Sequence, residues 1–222
     1  MKSDLSFLGV PLPAMRQLIK TIRRPPALDR DALLQLVRTL WGRSVFELRM
    51  VAVLLLEAFE PLLRPADIRL LERLIRQSKT WAFVDELAIA IIGPLVDRAP
   101  ELLAVLDRWS ADTDFWVRRS ALLALLTPLR RGVGDFERFG RYADQMLDER
   151  EFFIRKAIGW VLRETGKKRP DLVYAWLEPR CGRASGVTVR EAVKYLSPRQ
   201  RNALLSAYGA ARPRQASGRA LR

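Results

Sequence analysis

The sequence predicts an all-α fold, and three observations carry the prediction. Apolar residues recur at helical spacing, as in Leu33, Leu34, Val37 and Leu40 and again in Leu70, Leu71, Leu74 and Ile75. No segment sustains the period-two alternation of a half-buried strand. A short pattern also returns along the chain at intervals of 36, 33, 37 and 35 residues, counted between positions 49, 85, 118, 155 and 190. With 222 residues, 49% hydrophobic and 29% charged, the chain is long enough for a sizeable core and gives no sign of two unlike domains.

Helix-breaking residues follow one another at short intervals: Pro25-Pro26, Gly42, Pro61, Pro65, Ser78, Pro100, Asp112, Pro128, Gly132 to Gly134, Gly166, Pro170, Gly182 and Gly186. They divide the chain into helices of roughly ten to twenty residues. The repeat aligns Leu48-Arg49 with Ala52, Val84-Asp85 with Ala88, Val117-Arg118 with Ala121, Ile154-Arg155 with Ala157 and Val189-Arg190 with Ala192. A period in the mid-thirties without a turn-and-strand signature reads as HEAT-like helical repeats, in which each helix pair buries its face only against its neighbours. The expected architecture over residues 1–209 is a single right-handed solenoid, an α-α superhelix of about five to six antiparallel helix pairs. Its second helices would line a concave basic face. Residues 210–222, A-A-R-P-R-Q-A-S-G-R-A-L-R, are expected to form a basic, disordered tail.

The charge balance is far from ordinary. Thirty-nine Lys and Arg face 25 Asp and Glu, a net charge of +14 with a pI near 10.9. A domain this basic meets a polyanion or an acidic membrane surface, and double-stranded DNA is the first candidate partner. The chain has no His and one Cys, Cys181, which excludes an internal disulfide, a His-based triad and the common zinc sites. No metal and no cofactor is expected, and a reducing bacterial cytoplasm, beside the nucleoid, fits. The first ten residues do not read as a signal peptide, and the apolar runs Val51 to Leu56 and Leu87 to Ile92 are too short to span a bilayer. The expectation is a monomer without a membrane partner.

Four of the five aligned polar positions are Arg, and Arg118-Arg119, Arg155-Lys156, Arg163, Lys167-Lys168-Arg169, Arg190 and Lys194 crowd the last three repeats. Arg118, Arg119, Arg155, Lys156, Arg190 and Lys194 are therefore candidate DNA contacts, more cations than local carboxylates would pair. The alternative for any one repeat Arg is a bond to a neighbouring repeat or a helix cap. The second repeat departs from the rule with Asp85, and Trp81 precedes it by one helical turn on the same face. A carboxylate beside an indole suits glycosidic chemistry, where an oxocarbenium-like sugar develops positive charge. The alternative is that Trp81 is core and Asp85 pairs with an Arg. Phe152 and Phe153 read as core, and Trp160, two turns after Phe153, reads either way.

At these residues the sequence resembles the AlkD family of bacterial DNA glycosylases, helical-repeat enzymes that excise N3- and N7-alkylated purines. The matching segments are Phe7-Leu8-Gly9-Val10 with Pro13 and Arg16, Lys79 to Asp85 (K-T-W-A-F-V-D), Asp114 to Ala121, and Glu151 to Glu164 (E-F-F-I-R-K-A-I-G-W-V-L-R-E). The resemblance implies that Asp85 is the catalytic carboxylate, that Trp81 and Trp160 flank the lesioned nucleotide, and that Arg119 contacts the DNA backbone. The chain begins near the end of what the resemblance makes the first helix. Ala82 stands where the family has Asp, and Phe83 is bulkier than the residue expected there, which would alter the space beside Trp81. A monofunctional alkylpurine glycosylase is the first reading. The others are a non-catalytic protein binding distorted or branched DNA and a scaffold holding an acidic peptide.

Overall fold

The computed structural model describes residues 4–24 and 28–211. The tail expected at 210–222 lies, from 212 onward, outside the described residues, and Ala210 is the last residue of a helix. By its contacts the chain divides into two compact units, Met1–Thr127 and Pro128–Arg222. The first holds α1 (Leu12–Ile22), α2 (Arg30–Trp41), α3 (Phe46–Ala58), α4 (Ile68–Ser78), α5 (Trp81–Glu86), α6 (Gly93–Arg98), α7 (Leu103–Trp109) and α8 (Phe115–Ala124). After α9 (Leu126–Arg130) come α10 (Phe136–Gln145), α11 (Phe152–Gly166), α12 (Pro170–Leu177), α13 (Gly186–Ala192) and α14 (Pro198–Ala210). Among the described residues there is no strand, only an isolated parallel bridge between Ser6 and Val45. None of their helices is long and apolar enough to cross a membrane.

The helix starts follow from side chains that satisfy the first unpaired N–H groups. Asp29, Thr80, Asp114, Asp135, Glu151, Ser185 and Ser197 accept from the first turns of α2, α5, α8, α10, α11, α13 and α14. Several helices are shorter than expected because prolines start 3₁₀ turns, at Glu60–Leu62, Pro65–Asp67, Pro100–Leu102 and Glu178–Arg180. The five aligned segments fall on α3, α5 with the π-turn that follows it, α8, α11 and α13, and their alanines, Ala52, Ala88, Ala121, Ala157 and Ala192, are all fully buried. In the first unit α3 carries α1 and α2 on its sides and packs on α5, while α8 meets α4, α5 and α7. In the second, α11 packs on α12 and α13, and α14 closes on both α12 and α13.

Two backbone features shape the first unit around α5. Lys79, between α4 and α5, is the one non-glycine among the described residues with positive φ, at 49°. This left-handed corner, followed by the Thr80 cap, lets α5 begin with only two residues between it and α4. Beyond Glu86 the helix widens into a π-turn over Leu87–Ile92 before α6 continues it. Pro94 has no N–H to offer the preceding turn, and a Cβ on Gly93 would lie 2.8 Å from the Ala124 carbonyl oxygen. A π-turn ending in Gly-Pro is what lets the helix come this close to the end of α8.

In the second unit, α11 crosses α13 at Gly159, where a Cβ would meet Glu191 Cβ at 2.8 Å and the Thr188 backbone at 3.1 Å. Gly159→Val is expected to lower the unfolding free energy by about 1–3 kcal/mol through overpacking. Gly166→Ala, whose added Cβ meets nothing nearer than 3.7 Å, should be neutral or stabilising. Urea midpoints at unchanged slope would measure both.

Candidate functional site

Asp85 sits on α5 with both carboxylate oxygens taken by one guanidinium. Arg119 of α8 donates from Nε to Oδ1 and from Nη2 to Oδ2, each at 2.8 Å. The Arg119 side chain is 3% exposed and that of Asp85 14%, so the pair is almost dry. Such a fork-on-fork contact fixes the position and orientation of the carboxylate as well as its charge. Trp81, one turn before Asp85, is 48% exposed, so it is not a core residue. Phe83 does not crowd it: the ring is fully buried, stacked on Phe46 at 4.8 Å and edge-on to Trp41 at 5.6 Å. Around the α5 helix the surface strip is therefore Trp81, Ala82, Asp85, Glu86, Ile89 and Ala90.

Arg119, expected at the DNA backbone, is buried, and its guanidinium holds Asp85. The aligned arginines also have structural work. Arg49 Nε donates to the Arg43 carbonyl, Arg118 Nη1 to that of Asp112 and Arg155 Nε to that of Glu149, each reaching back six residues to fasten the loop before its own helix. This is the capping alternative, realised three times. Arg190 is exposed and folds across Gly186, where its Nη1 comes within 2.8 Å of where a Cβ would be.

Lys156 and Lys194 are not unpaired cations. Both reach Glu191 Oε1, at 2.7 and 2.9 Å, and Arg163 takes Oε2. Burial pushes the Glu191 carboxyl up, but the bonds from Lys156 and Lys194 and the charges of Lys156 and Arg163 outweigh it and leave the group at about 2. Glu164 is held in the same way by Arg130, Arg163 and Lys167, which outweigh its burial and bring its carboxyl below the ordinary range. Five cations thus surround two buried carboxylates in the second unit. Trp160 is half-buried on α11, and Phe152, expected in the core, is 54% exposed, while Phe153 is half-buried. The N-terminal turn of α11 places Phe152 on its outer face.

A second acidic group on the α5 strip escaped the sequence reading. Arg16 of α1 reaches Glu86 Oε1 at 3.2 Å and Glu57 Oε2, on α3, at 3.5 Å. Partial burial and the hydrogen-bonded, like-charged Glu57 push the Glu86 carboxyl up, against the pull of Arg16. Arg16 already stood in the opening motif, and Glu86 directly follows Asp85; only the partnership across three helices was hidden. Among the described residues no group of three or more His, Cys, Asp or Glu is placed to hold a metal ion.

The family described as DNA alkylation repair enzyme matches residues 1–196 of the chain. Among solved structures the chain is similar to a predicted DNA alkylation repair enzyme from Enterococcus faecalis, at 24% identity and a TM-score of 0.77, covering 88% of this chain and 90% of that one. It is also similar to AlkD2 from Streptococcus mutans, at 19% identity and a TM-score of 0.65, with 86% and 92% covered. A third likeness is to smu.31 from Streptococcus mutans UA159, at 20% identity, a TM-score of 0.64 and coverages of 84% and 93%. No curated protein matches significantly. At these identities the structural likenesses show the helical fold.

Arg119→Met leaves the mostly buried Asp85 charge without its counter-ion. We expect it to destabilise the protein by about 3–5 kcal/mol, with Asp85→Asn in the same background recovering part of the loss. A double-mutant cycle by chemical denaturation reads both. Because the Glu191 carboxyl is depressed from 4.5 to about 2, its contribution is fully present above pH 4.5 and is lost as pH falls towards 2. Glu191→Gln should therefore be less stable than wild type at pH 7 and lose less on acidification across that window, which melting curves at stepped pH would show.

Proposed function

Since the chain belongs to the DNA alkylation repair enzyme family, which matches it over residues 1–196, we propose that it is a monofunctional glycosylase excising N3- and N7-alkylated purines from double-stranded DNA. The observation that carries this reading is the exposed Trp81 indole one turn from a carboxylate whose position Arg119 fixes. An alkylated purine is cationic and already a good leaving group. The enzyme's task is to stabilise the sugar cation that remains when the bond to the base breaks. Asp85 supplies a fixed negative charge, which needs no reorganisation as the cation develops, and the indole face of Trp81 shelters it. With both oxygens engaged by Arg119, Asp85 acts through its charge.

Trp160 on α11 is the second aromatic of this reading. Arg190 and the half-exposed cations gathered on Glu164 and Glu191 supply phosphate affinity, with Arg118 and Arg155 contributing the guanidinium groups beyond their loop bonds. The chain is read as acting as a monomer in the bacterial cytoplasm, needing no metal or cofactor. One observation favours the alternative of a non-catalytic protein for distorted or branched DNA: the saturated Asp85–Arg119 pair also serves purely as a clamp between α5 and α8.

Release of 7-methylguanine or 3-methyladenine from methylated duplex DNA separates the two. Wild type is expected to release base, and Asp85→Asn to slow release by roughly 10²–10³-fold, the range for removal of one transition-state electrostatic partner. DNA binding that falls steeply with salt, without any base release, would establish the non-catalytic reading instead.

A further inference from the structure

We propose that Arg190 and Arg155 form a seat for a single phosphate group of a DNA strand, a fixed anchor in the second unit apart from the cations gathered on Glu164 and Glu191. The seat rests on DNA being the partner and needs no base excision, so it serves the catalytic and the non-catalytic reading alike.

The fifth repeat departs from the others at its aligned arginine. Arg49, Arg118 and Arg155 each donate to a loop carbonyl six residues back. The same reach from Arg190 would end at Ala184, yet Arg190 makes no hydrogen bond or ion pair among the described residues. Its guanidinium lies instead across Gly186, one turn earlier on α13, with Nη1 at 2.8 Å and Cζ at 3.3 Å from where a Cβ would stand. The Tyr208 hydroxyl, from α14, comes within 2.6 Å of the same point. Any side chain at position 186 would therefore push Arg190 off this face. A planar guanidinium laid down in this way has given up rotamer freedom before it meets a ligand, and all of its N–H donors remain open.

Arg155 borders the same space. Its Nε donates to the Glu149 carbonyl at 2.6 Å and its own carbonyl accepts from the Thr188 hydroxyl at 3.1 Å, which fixes the residue and leaves both Nη groups for a ligand. Arg155, Arg183 and Arg190 line a cavity of about 310 Å³, and Asp148 is the one carboxylate among the described residues that line it. Arg183 takes up Asp148 through Nε and Nη2, at 3.0 and 2.7 Å, and reaches Asp144 through Nη1 at 2.9 Å. The acid in the wall is thus answered within the wall, and the charges of Arg155 and Arg190 remain. A carboxylate ligand has two oxygens and suits one guanidinium fork, whereas a phosphate has oxygens enough for two. In a chain of the DNA alkylation repair enzyme family, that phosphate belongs to the DNA strand, either within the backbone or at an end.

The test is binding of the full chain to labelled duplexes, read by fluorescence anisotropy, with one phosphate at a time replaced by a neutral methylphosphonate or with a terminal phosphate removed. One position should weaken wild-type binding roughly ten- to a hundredfold, the range for a charge-assisted contact. An internal position identifies a backbone phosphate, and a strand end a terminal one. Arg190→Gln should bind the unmodified duplex more weakly by the same factor, become indifferent to that one position, and lower the slope of log affinity against log salt by about one. Gly186→Ala keeps every charge but sets a methyl where the Arg190 guanidinium lies, so it should bind as Arg190→Gln does. Thermal melting of both variants separates lost contact from lost fold, and Arg190→Gln should melt with wild type. A loss in Arg190→Gln that is equal at every phosphate position overturns the seat in favour of diffuse charge, as does wild-type affinity in Gly186→Ala. Absence of DNA binding by wild type overturns the DNA reading and, with it, the seat.

Discussion

A guanidinium as dry as that of Arg119 is tolerable only where a carboxylate takes it up, and Asp85 does so with both oxygens. Much of the first unit is arranged around this pair. Asp85 can reach α8 only because α5 starts abruptly after the left-handed Lys79 and the Thr80 cap. It stays close to α8 because the π-turn and Gly93 let the following helix lie against the Ala124 carbonyl. Removing Arg119 leaves the mostly buried Asp85 carboxylate without its counter-ion. The same rigidity that makes the pair a clamp makes its carboxylate a fixed charge beside Trp81.

The repeat explains why the second unit of the pattern can differ. In the first, third and fourth repeats the aligned Arg reaches back six residues to hold the loop before its helix. An Asp has no N–H to donate, so Asp85 cannot make that bond. It does not need to, because the corresponding loop is the tight turn at Lys79, closed by backbone conformation and the Thr80 cap. A change of turn chemistry thus frees the aligned side chain to face the next repeat.

The helical class, the repeat and the location of the unusual carboxylate were all legible in the sequence. They depend on spacing within a segment, and Ala52, Ala88, Ala121, Ala157 and Ala192 fall in the core as the alignment requires. The ion pairs between repeats stood in the sequence only as the alternative reading, because their partners lie about one repeat apart: Arg30 and Asp67 are 37 residues apart, Arg76 and Asp112 36, Asp85 and Arg119 34, Lys156 and Glu191 35. Complementary charges one period apart are the signal that would have found them. Phe152 was misread for a different reason, since helical spacing alone does not say which end of an apolar stripe passes beyond the packed neighbour. The π-turn had only Gly93-Pro94 to announce it.

Charge in this chain follows from how few carboxylates serve how many cations. Glu191 is shared by Lys156, Arg163 and Lys194, and Glu164 by Arg130, Arg163 and Lys167. Each buried carboxylate fixes several long side chains and so reduces the entropy they would lose on meeting a phosphate. The cations keep surplus N–H groups and partial exposure, and the cluster stays positive after its internal pairing is complete. Paired as they are, these residues still present an ordered surface of net positive charge. The first unit inverts the arrangement at one place, where Glu57 and Glu86 share Arg16. There two carboxyls serve one cation, Glu57 from α3 and Glu86 from the α5 strip that also carries Trp81 and Asp85.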